Sequence, residues 1–441
     1  METQLAKIAQ VAKENLNERF TSLIHLINES SLTQCHYEMK ANKASGVDTV
    51  TKEEYQENLD SNIKELIAKM KRQAYKPQPV RRVYISKEGS DKLRPLGIPS
   101  YEDKIVQKAV SKILNAIYEQ DFLECSFGFR PKRGCHDALK TISSIIESRP
   151  VHYIVDADIR GFYDHLNHTW LMKFLKHRIA DENLLRLIGR FLRSGVIENQ
   201  EYHPTIEGAP QGGVVSPILA NVYLHYVLDL WFNKVVKAHC RGEAHMVRYA
   251  DDFICCFQYE EDAKRYYRAL QNRLGKFGLD LADDKTKIIA FGKDSLHVKN
   301  KGQIKPGTFD FVGFSHYCGK SKMGRFRVKR KTSKKKYRTS LLKVKKWVKE
   351  NRNLPSQELM NALRVKLNGY FRYYGVTDNF SSLGKFLQEV TKLLYNWLNR
   401  RSQRKSFTRE QFVGFLQRNP LPSPKIYVNI FQLRFPITWC Q

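Results

Sequence analysis

Met246-Val247-Arg248-Tyr249-Ala250-Asp251-Asp252-Phe253-Ile254-Cys255-Cys256-Phe257 reads as an apolar run, two carboxylates and a second apolar run. This is the pattern of a β-hairpin with buried arms and an acidic tip. Adjacent aspartates at a turn repel each other, so local structure gains nothing from having both. A hard divalent cation changes that, because it takes oxygen ligands and neutralises both charges. A bare Asp-Asp pair is most often a solvated turn. The weight therefore falls on whether the chain supplies a third carboxylate and a scaffold for a polyanion.

The third carboxylate is offered by Val151-His152-Tyr153-Ile154-Val155-Asp156-Ala157-Asp158-Ile159-Arg160-Gly161-Phe162-Tyr163-Asp164, a buried strand ending in acids. Either Asp156 or Asp158 can serve. Asp158 is preferred, since it stands where the strand ends and the chain turns towards Phe162 and Tyr163. It lies about 90 residues before the Asp251-Asp252 tip, so only a fold that pairs the two strands unites them. Magnesium-dependent nucleotidyl transfer requires such a cluster: two ions about 4 Å apart share bridging carboxylates, one activating a 3′-hydroxyl and the other holding a triphosphate.

The polyanion is implied by charge. The 441 residues carry 75 Lys and Arg against 45 Asp and Glu, a formal net charge of +30. Self-repulsion of that size opposes compaction unless a polyanionic partner offsets it. With 42% hydrophobic residues the chain is a folded protein of two or three domains rather than a disordered one. No apolar run approaches the roughly 20 residues of a membrane span, and the N-terminus lacks the apolar core of a signal peptide. The eight cysteines form no C-x-x-C pair, which argues against a zinc ribbon, and Cys255 and Cys256 read as small core residues. A cytoplasmic protein is the expectation.

Residues 1–75 read as helical, broken by the polar loop Ala41-Asn42-Lys43-Ala44-Ser45-Gly46-Val47-Asp48. Val80–Ile85 and Lys92–Pro99 alternate like two strands of a hairpin with Lys87 and Arg94 close to its tip, cations suited to a triphosphate. Ser100 and Asp103 form a capping-box pattern for the next helix. Cys125–Gly134 interleaves aromatics, glycines and cations, a mixture suited to nucleic acid. Gly208–Pro217 is a glycine-rich loop feeding a helix, with Ser216 as N-cap and Pro217 at the first helical position. An amphipathic helix is expected near 260–277, and a short hairpin at Phe309–Ser315.

Residues 321–350 hold fourteen Lys or Arg and one acid, Glu350. Neutralising phosphates by counterion release is the economical use of such a stretch. It lacks the broad apolar face of a membrane-surface helix. Three helices are suggested, one through Leu341, Leu342 and Trp347, a second through Leu359, Leu363, Leu367, Tyr370 and Phe371, and a third through Phe386, Val390, Leu393, Leu394, Trp397 and Leu398.

Taken together, these segments resemble the reverse transcriptases encoded by bacterial group II introns, also called intron maturases. The resemblance rests on Asn42-Lys43…Gly46-Val47-Asp48, Arg94-Pro95-Leu96-Gly97-Ile98-Pro99, Ser126-Phe127-Gly128-Phe129-Arg130-Pro131, Asp158…Phe162-Tyr163-Asp164, Pro210-Gln211-Gly212-Gly213…Ser216-Pro217, Arg248-Tyr249-Ala250-Asp251-Asp252 and Phe311-Val312-Gly313-Phe314. It covers residues 41–375.

The resemblance implies an α+β right-hand polymerase with an antiparallel palm sheet. It divides the chain into an N-terminal extension with a template-contacting loop (1–75), fingers (76–150), palm (151–315), a basic three-helix thumb or maturase domain (316–400) and a short basic C-terminal segment (401–441). It assigns catalysis to Asp158, Asp251 and Asp252, and metal binding to these with Ile159. Two Mg2+ ions would be held, with Mn2+ as a substitute. Nucleotide contacts fall to Lys87, Arg94, Gln211 and Lys285, with Phe162 or Tyr163 excluding the ribose 2′-hydroxyl. Phe311, Val312, Gly313 and Phe314 match the primer grip. Lys334, Lys335, Lys336, Lys343 and Lys346 are the candidate RNA contacts.

The implied partners are an RNA template, a DNA primer, dNTPs and group II intron RNA, without a membrane; a homodimer stays open. The chain departs from many relatives in showing no HNH endonuclease with cysteine pairs, so target-site nicking in cis is not expected. The implied activity is RNA-directed DNA synthesis with help to splicing and mobility. The alternatives are an RNA-binding maturase without polymerase activity, or an intron-free reverse transcriptase serving DNA repair or phage defence.

Overall fold

The computed structural model describes residues 1–86, 93–293, 306–401 and 406–432. Four helices open the chain: α1 (Glu2–Glu14), α2 (Glu29–Glu38), α3 (Lys52–Glu57) and α4 (Leu59–Lys71). Asn28 and Thr51 start α2 and α3 with reciprocal capping boxes to Ser31 and Glu54, which satisfy backbone donors otherwise left open. The loop between α2 and α3 is irregular but fastened. Arg81 donates to Ser45 O at 2.6 Å, and Lys104 Nζ to Ala44 O at 2.6 Å.

β1 (Val80–Ser86) and β2 (Leu93–Ile98) pair antiparallel, and α5 (Tyr101–Tyr118) and α6 (Cys135–Ser148) follow. Ser100 caps α5 by accepting from Asp103 N at 3.3 Å. The return half of the expected box is not made. Asp103 instead accepts from the Tyr75 hydroxyl and, at 2.9 Å, from Gln78 N, tying the extended segment after α4 to the helix start.

β3 (Tyr153–Arg160), α7 (His168–Lys176), α8 (Glu182–Leu192), β4 (Val196–Glu198) and β5 (Glu201–His203) come next. β4 runs parallel to β1, with Val80 opposite Val196, so the basic hairpin is enlarged to the order β2-β1-β4-β5. These short strands carry too few residues for a periodicity, and sequence reasoning missed them. α9 (Ser216–Leu224) runs through π-helical turns at His225–Asp229 and Phe232–Val236 into α10 (Lys237–His239). β6 (Ala244–Tyr249), β7 (Asp252–Phe257), α11 (Glu260–Lys276), β8 (Asp280–Leu281) and β9 (Lys287–Ala290) complete this half.

The central sheet has the order β6-β7-β3-β8, with β9 also on β3, and every pairing in it is antiparallel. Val155, Ala157, Ile159, Phe253 and Cys255 point into one core with α5, α7 and α9. Ile154, Val247, Ile254 and Cys256 point into a second core with α6 and the C-terminal helices. Both faces are covered, which is why these strands read as near-continuous apolar runs rather than alternating ones.

The second core is completed by β10 (Thr308–Phe311), β11 (Phe314–Lys320), β12 (Phe326–Thr332), α12 (Lys334–Asn351), α13 (Ser356–Tyr374), α14 (Phe380–Leu398) and α15 (Arg409–Arg418). Two expectations change here. Part of the basic stretch is the strand β12, in which Arg330 is fully buried and donates to Ser143 Oγ at 2.7 Å. Arg327 is paired with Asp378 at 3.0 Å, so the raw charge count overstates what is free for phosphates. The described part of the C-terminal segment, 406–432, also packs onto this core. Phe412 and Phe415 of α15 bury in the same core as α12–α14.

One glycine joins the cores to the hairpin tip. A Cβ on Gly128 would lie 2.2 Å from Ala250 N and 3.0 Å from Tyr249 C, and backbone cannot yield as a flexible side chain can. Gly128→Ala is expected to cost about 1–3 kcal/mol through overpacking, read as a lower thermal midpoint together with reduced primer extension. An unchanged midpoint would show that the two segments separate easily.

Candidate active site

β6 and β7 pair up to Tyr249 opposite Asp252, leaving Ala250-Asp251 as a two-residue turn. Ala250 sits at φ +59°, a left-handed conformation that L-residues rarely adopt. Arg248 holds it there. Its guanidinium, wholly buried, donates to Ala250 O at 2.9 Å, Asn221 Oδ1 at 3.1 Å and Ser126 Oγ at 2.8 Å. It also forms a two-pronged pair with buried Asp229, at 2.7 Å through Nε. Sequence reasoning quoted Arg248 without a role and missed Asp229. An acid on the turn of a helix otherwise apolar around it was the available signal.

The register of β3 on β7 sets Asp158 directly opposite Asp252. Cross-strand partners have Cβ atoms about 4.5–5.5 Å apart, within reach of a shared ligand. Asp156 lies two residues back on the same face, opposite Ile254, with Asp310 and Lys287 near it. Burial, then Asp156, Asp251 and Asp158, push the Asp252 carboxyl up to about 8. Burial, with Asp310 and Asp158, raises Asp156 to about 7, and burial also raises Asp251. The backbone N–H of Val312 opposes the shift at Asp252.

Such mutually repelling, half-buried oxygens are the donor set that a hard divalent cation prefers. As the side chains stand, no group of three or more His, Cys, Asp or Glu among the described residues is arranged to hold a metal ion. Lys285 accounts for part of this, because its ammonium is paired with Asp158. Ile159, the other residue assigned to the metals, points its side chain into the core, leaving only its backbone near Asp158.

Tyr163 and Phe162 separate clearly. Phe162 is 2% exposed and packs against Tyr163 and Tyr223 in the core. It does not line the adjoining cleft of about 500 Å3, which is walled by Arg82, Tyr163, Asp164, Glu198, Gly208 and Gln211. Of the two aromatics left open by the sequence, the structure brings only Tyr163 to the cleft. Burial, with Asp251 nearby, raises the Tyr163 hydroxyl and keeps it neutral.

The Gly-rich loop is set by its neighbours. Gln211 O accepts from Gly97 N of β2 at 2.7 Å, and Gln107 Oε1 accepts from Val214 N at 2.8 Å. Ser216 is not the N-cap. It is the first helical residue, and its hydroxyl donates back to Pro210 O at 2.9 Å. Arg94 is exposed on β2 and close enough to act electrostatically on Tyr163 and Asp251. Lys87 lies outside the described residues.

In the β10–β11 hairpin, Phe311 and Phe314 are buried anchors, while Val312 and Gly313 turn at φ +42° and +85°. The Tyr373 hydroxyl of α13 donates to Val312 O at 3.0 Å, another interaction the sequence did not announce. Lys334, Lys335 and Lys336 start α12 beside this turn, with Lys336 Cγ 3.7 Å from a Cβ placed on Gly313. Lys343 and Lys346 are exposed further along the helix. A larger cavity of about 590 Å3, between Ile27, Met70 and Leu187, shares no lining residue with the carboxylates. No helix among the described residues is long and apolar enough to cross a membrane.

Residues 85–316 match the family described as reverse transcriptase (RNA-dependent DNA polymerase), and residues 337–413 match the group II intron maturase-specific domain. The chain is 30% identical over 453 residues to the group II intron-encoded protein LtrA of Lactococcus lactis subsp. cremoris, covering 87% of this chain and 75% of that protein. It is 32% identical over 323 residues to protein YkfC of Escherichia coli (strain K12), covering 64% of this chain and 83% of that one. With a reverse transcriptase domain followed by a maturase domain in one chain, the protein belongs to the group II intron-encoded reverse transcriptases and maturases.

Proposed function

We propose that this chain copies RNA into DNA at the Asp158–Asp251–Asp252 cluster and binds group II intron RNA through its C-terminal helices, assisting splicing and mobility. The observation that carries the catalytic half is the register setting Asp158 opposite Asp252. Asp158, Asp251 and Asp252, with the backbone of Ile159, would hold two Mg2+ ions, and Mn2+ suits the same oxygens. When bound, these ions supply the Lewis acidity and hydroxyl activation of nucleotidyl transfer.

In this reading 76–150 act as fingers, 151–315 as palm and 316–400 as thumb, with α15 extending the thumb. Residues 1–75 present the loop at 42–48 to the template. Arg94 and Lys87 offset triphosphate charge, and Gln211 backs the nucleotide on a loop clamped by Gln107. Lys285, paired here with Asp158, would offset charge on departing pyrophosphate. The Val312-Gly313 turn supports the primer end. A dNTP, a primer and an RNA template are the substrates.

Primer extension on a defined RNA template with dNTPs and Mg2+ tests the reading. Protein that binds the template and incorporates nothing would leave it an RNA-binding maturase only. The cleft wall adds a sharper test. Tyr163→Val should relax discrimination against ribonucleotides by roughly 10–200-fold, the range for filling or emptying one position in a pocket. If Phe162→Val relaxes it and Tyr163→Val does not, the gate is Phe162.

A further inference from the structure

At the far end of α12 from the Val312-Gly313 turn, cations crowd a single indole. Lys349 Nζ and the guanidinium carbons of Arg352 and Arg400 lie 5.8, 5.8 and 5.3 Å from the centroid of the Trp397 ring. Arg401 is next in sequence and donates to Leu354 O at 3.3 Å. The Nε atoms of Arg352 and Arg401 are buried, and among the described residues they have no hydrogen-bond partner. None of these four cations has a carboxylate partner among the described residues. Glu350, the one acid in 321–350, is paired with Lys346 at 3.9 Å instead.

Helix ends explain only part of this. Arg352 caps α12 and Arg400 follows α14, so both answer negative helix C-termini. Two macrodipoles supply roughly −0.5 each, which leaves most of four positive charges unanswered. Cation–π attraction to Trp397 holds the heads together but adds no net negative charge. What completes such a cluster is an anion with several acceptor oxygens, and Arg binds phosphate in a fixed fork.

Resting on the reading that the C-terminal helices bind RNA, we propose that Trp397 organises Lys349, Arg352 and Arg400 into a binding site for the phosphodiester backbone of a folded RNA, separate from the primer–template path. The separation follows from α12 itself. Lys334 and Lys349 are fifteen residues apart on one helix, about 22 Å at 1.5 Å per residue. The Lys334–Lys336 end adjoins the turn beside the carboxylates, whereas the Trp397 end meets the C-termini of two helices. One helix thereby serves two nucleic acids, substrate at its start and a structured RNA at its end.

The experiment compares binding of a folded group II intron transcript, across a salt series, with primer extension on a short RNA template. Lys349→Gln/Arg400→Gln changes two exposed cations and leaves the core intact. It should make the salt dependence of transcript binding shallower by about 1–2, at roughly 0.7–0.9 for each phosphate no longer neutralised, with primer extension within twofold of wild type. Trp397→Leu removes the ring face but no charge. Trp397 also packs against the second core, so the thermal midpoint is read in parallel; with the variant folded at the assay temperature, transcript binding should weaken about threefold to tenfold. Unchanged affinity and slope in both variants overturn the site, as does an equal fall in primer extension. Inorganic phosphate competing as well as the transcript at equal phosphate concentration would overturn the RNA assignment. Lys334→Gln/Lys335→Gln/Lys336→Gln reports on the underlying reading separately. If it changes nucleic-acid binding while the Trp397 variants do not, only the proposed site fails. If neither set does, the C-terminal helices are not the RNA-binding body.

Discussion

Asp251→Asn together with Asp252→Asn is expected to abolish RNA-templated primer extension, by about a thousandfold or more, without lowering the thermal midpoint. The activity loss follows from removing two of the three carboxylates that would hold the ions. A single preorganised electrostatic interaction with a reaction centre is commonly worth about 100–1000-fold, and two metal-sharing oxygens are worth more. The stability half comes from the sign of the electrostatics. Burial and neighbouring carboxylates push Asp252 up to about 8 and raise Asp251. A folded-state pKa above the ordinary aspartate value means that ionisation at neutral pH costs folding free energy. Asn keeps the shape and removes that cost. Single-turnover extension with parallel thermal melts checks both halves. Extension surviving in a well-folded variant would remove these aspartates from catalysis, and a collapsed midpoint would make them structural.

Arg248→Met should be the most destabilising single change near the site. It removes a guanidinium that satisfies Asp229, Asn221, Ser126 and the Ala250 carbonyl at once, with both ion-pair partners fully buried. Breaking one side of a buried pair strands the other charge and typically costs about 3–5 kcal/mol. Asp229→Asn should cost a similar amount. Arg248→Met/Asp229→Leu should recover part of the loss, because no charge is then left buried. Denaturant melts of the two singles and the double close the cycle. Additive losses would show that the pair is not coupled. Activity is expected to stay low even in the double, since the left-handed Ala250 turn loses the donor that holds its carbonyl.

These outcomes mark the boundary between what local sequence carries and what it does not. The helix start at Ser100 and the arms of the β6–β7 hairpin are legible because caps, turns and short apolar runs are set within a few residues; the caps at Asn28 and Thr51 went unread inside a region taken only as helical. Even there Ser216 moved by one position, since its hydroxyl found Pro210 O rather than the helix N-terminus. Where an interaction spans the chain, local signals fall silent. The partner of Arg248 could not be named from its neighbours, and β4 and β5 are each three residues long, too short to announce a strand. The run of cations at 321–350 looked uniform, yet alternation on β12 buried Arg330 and exposed Lys331 on the opposite face.

By itself, then, the sequence determined an acidic hairpin tip, a strand with two candidate acids, a basic helical C-terminal region and the family motifs that join them. Only the tertiary structure decided that Asp158 faces Asp252, that Tyr163 rather than Phe162 walls the cleft, and that Lys349, Arg352 and Arg400 converge on Trp397. The physical reason is common to all three. A period of two says which face a strand residue takes, and a helical period which side of a helix, but neither says what packs opposite. That choice is made by burying both faces of one sheet between two cores, and the register of Asp158 on Asp252 follows from it.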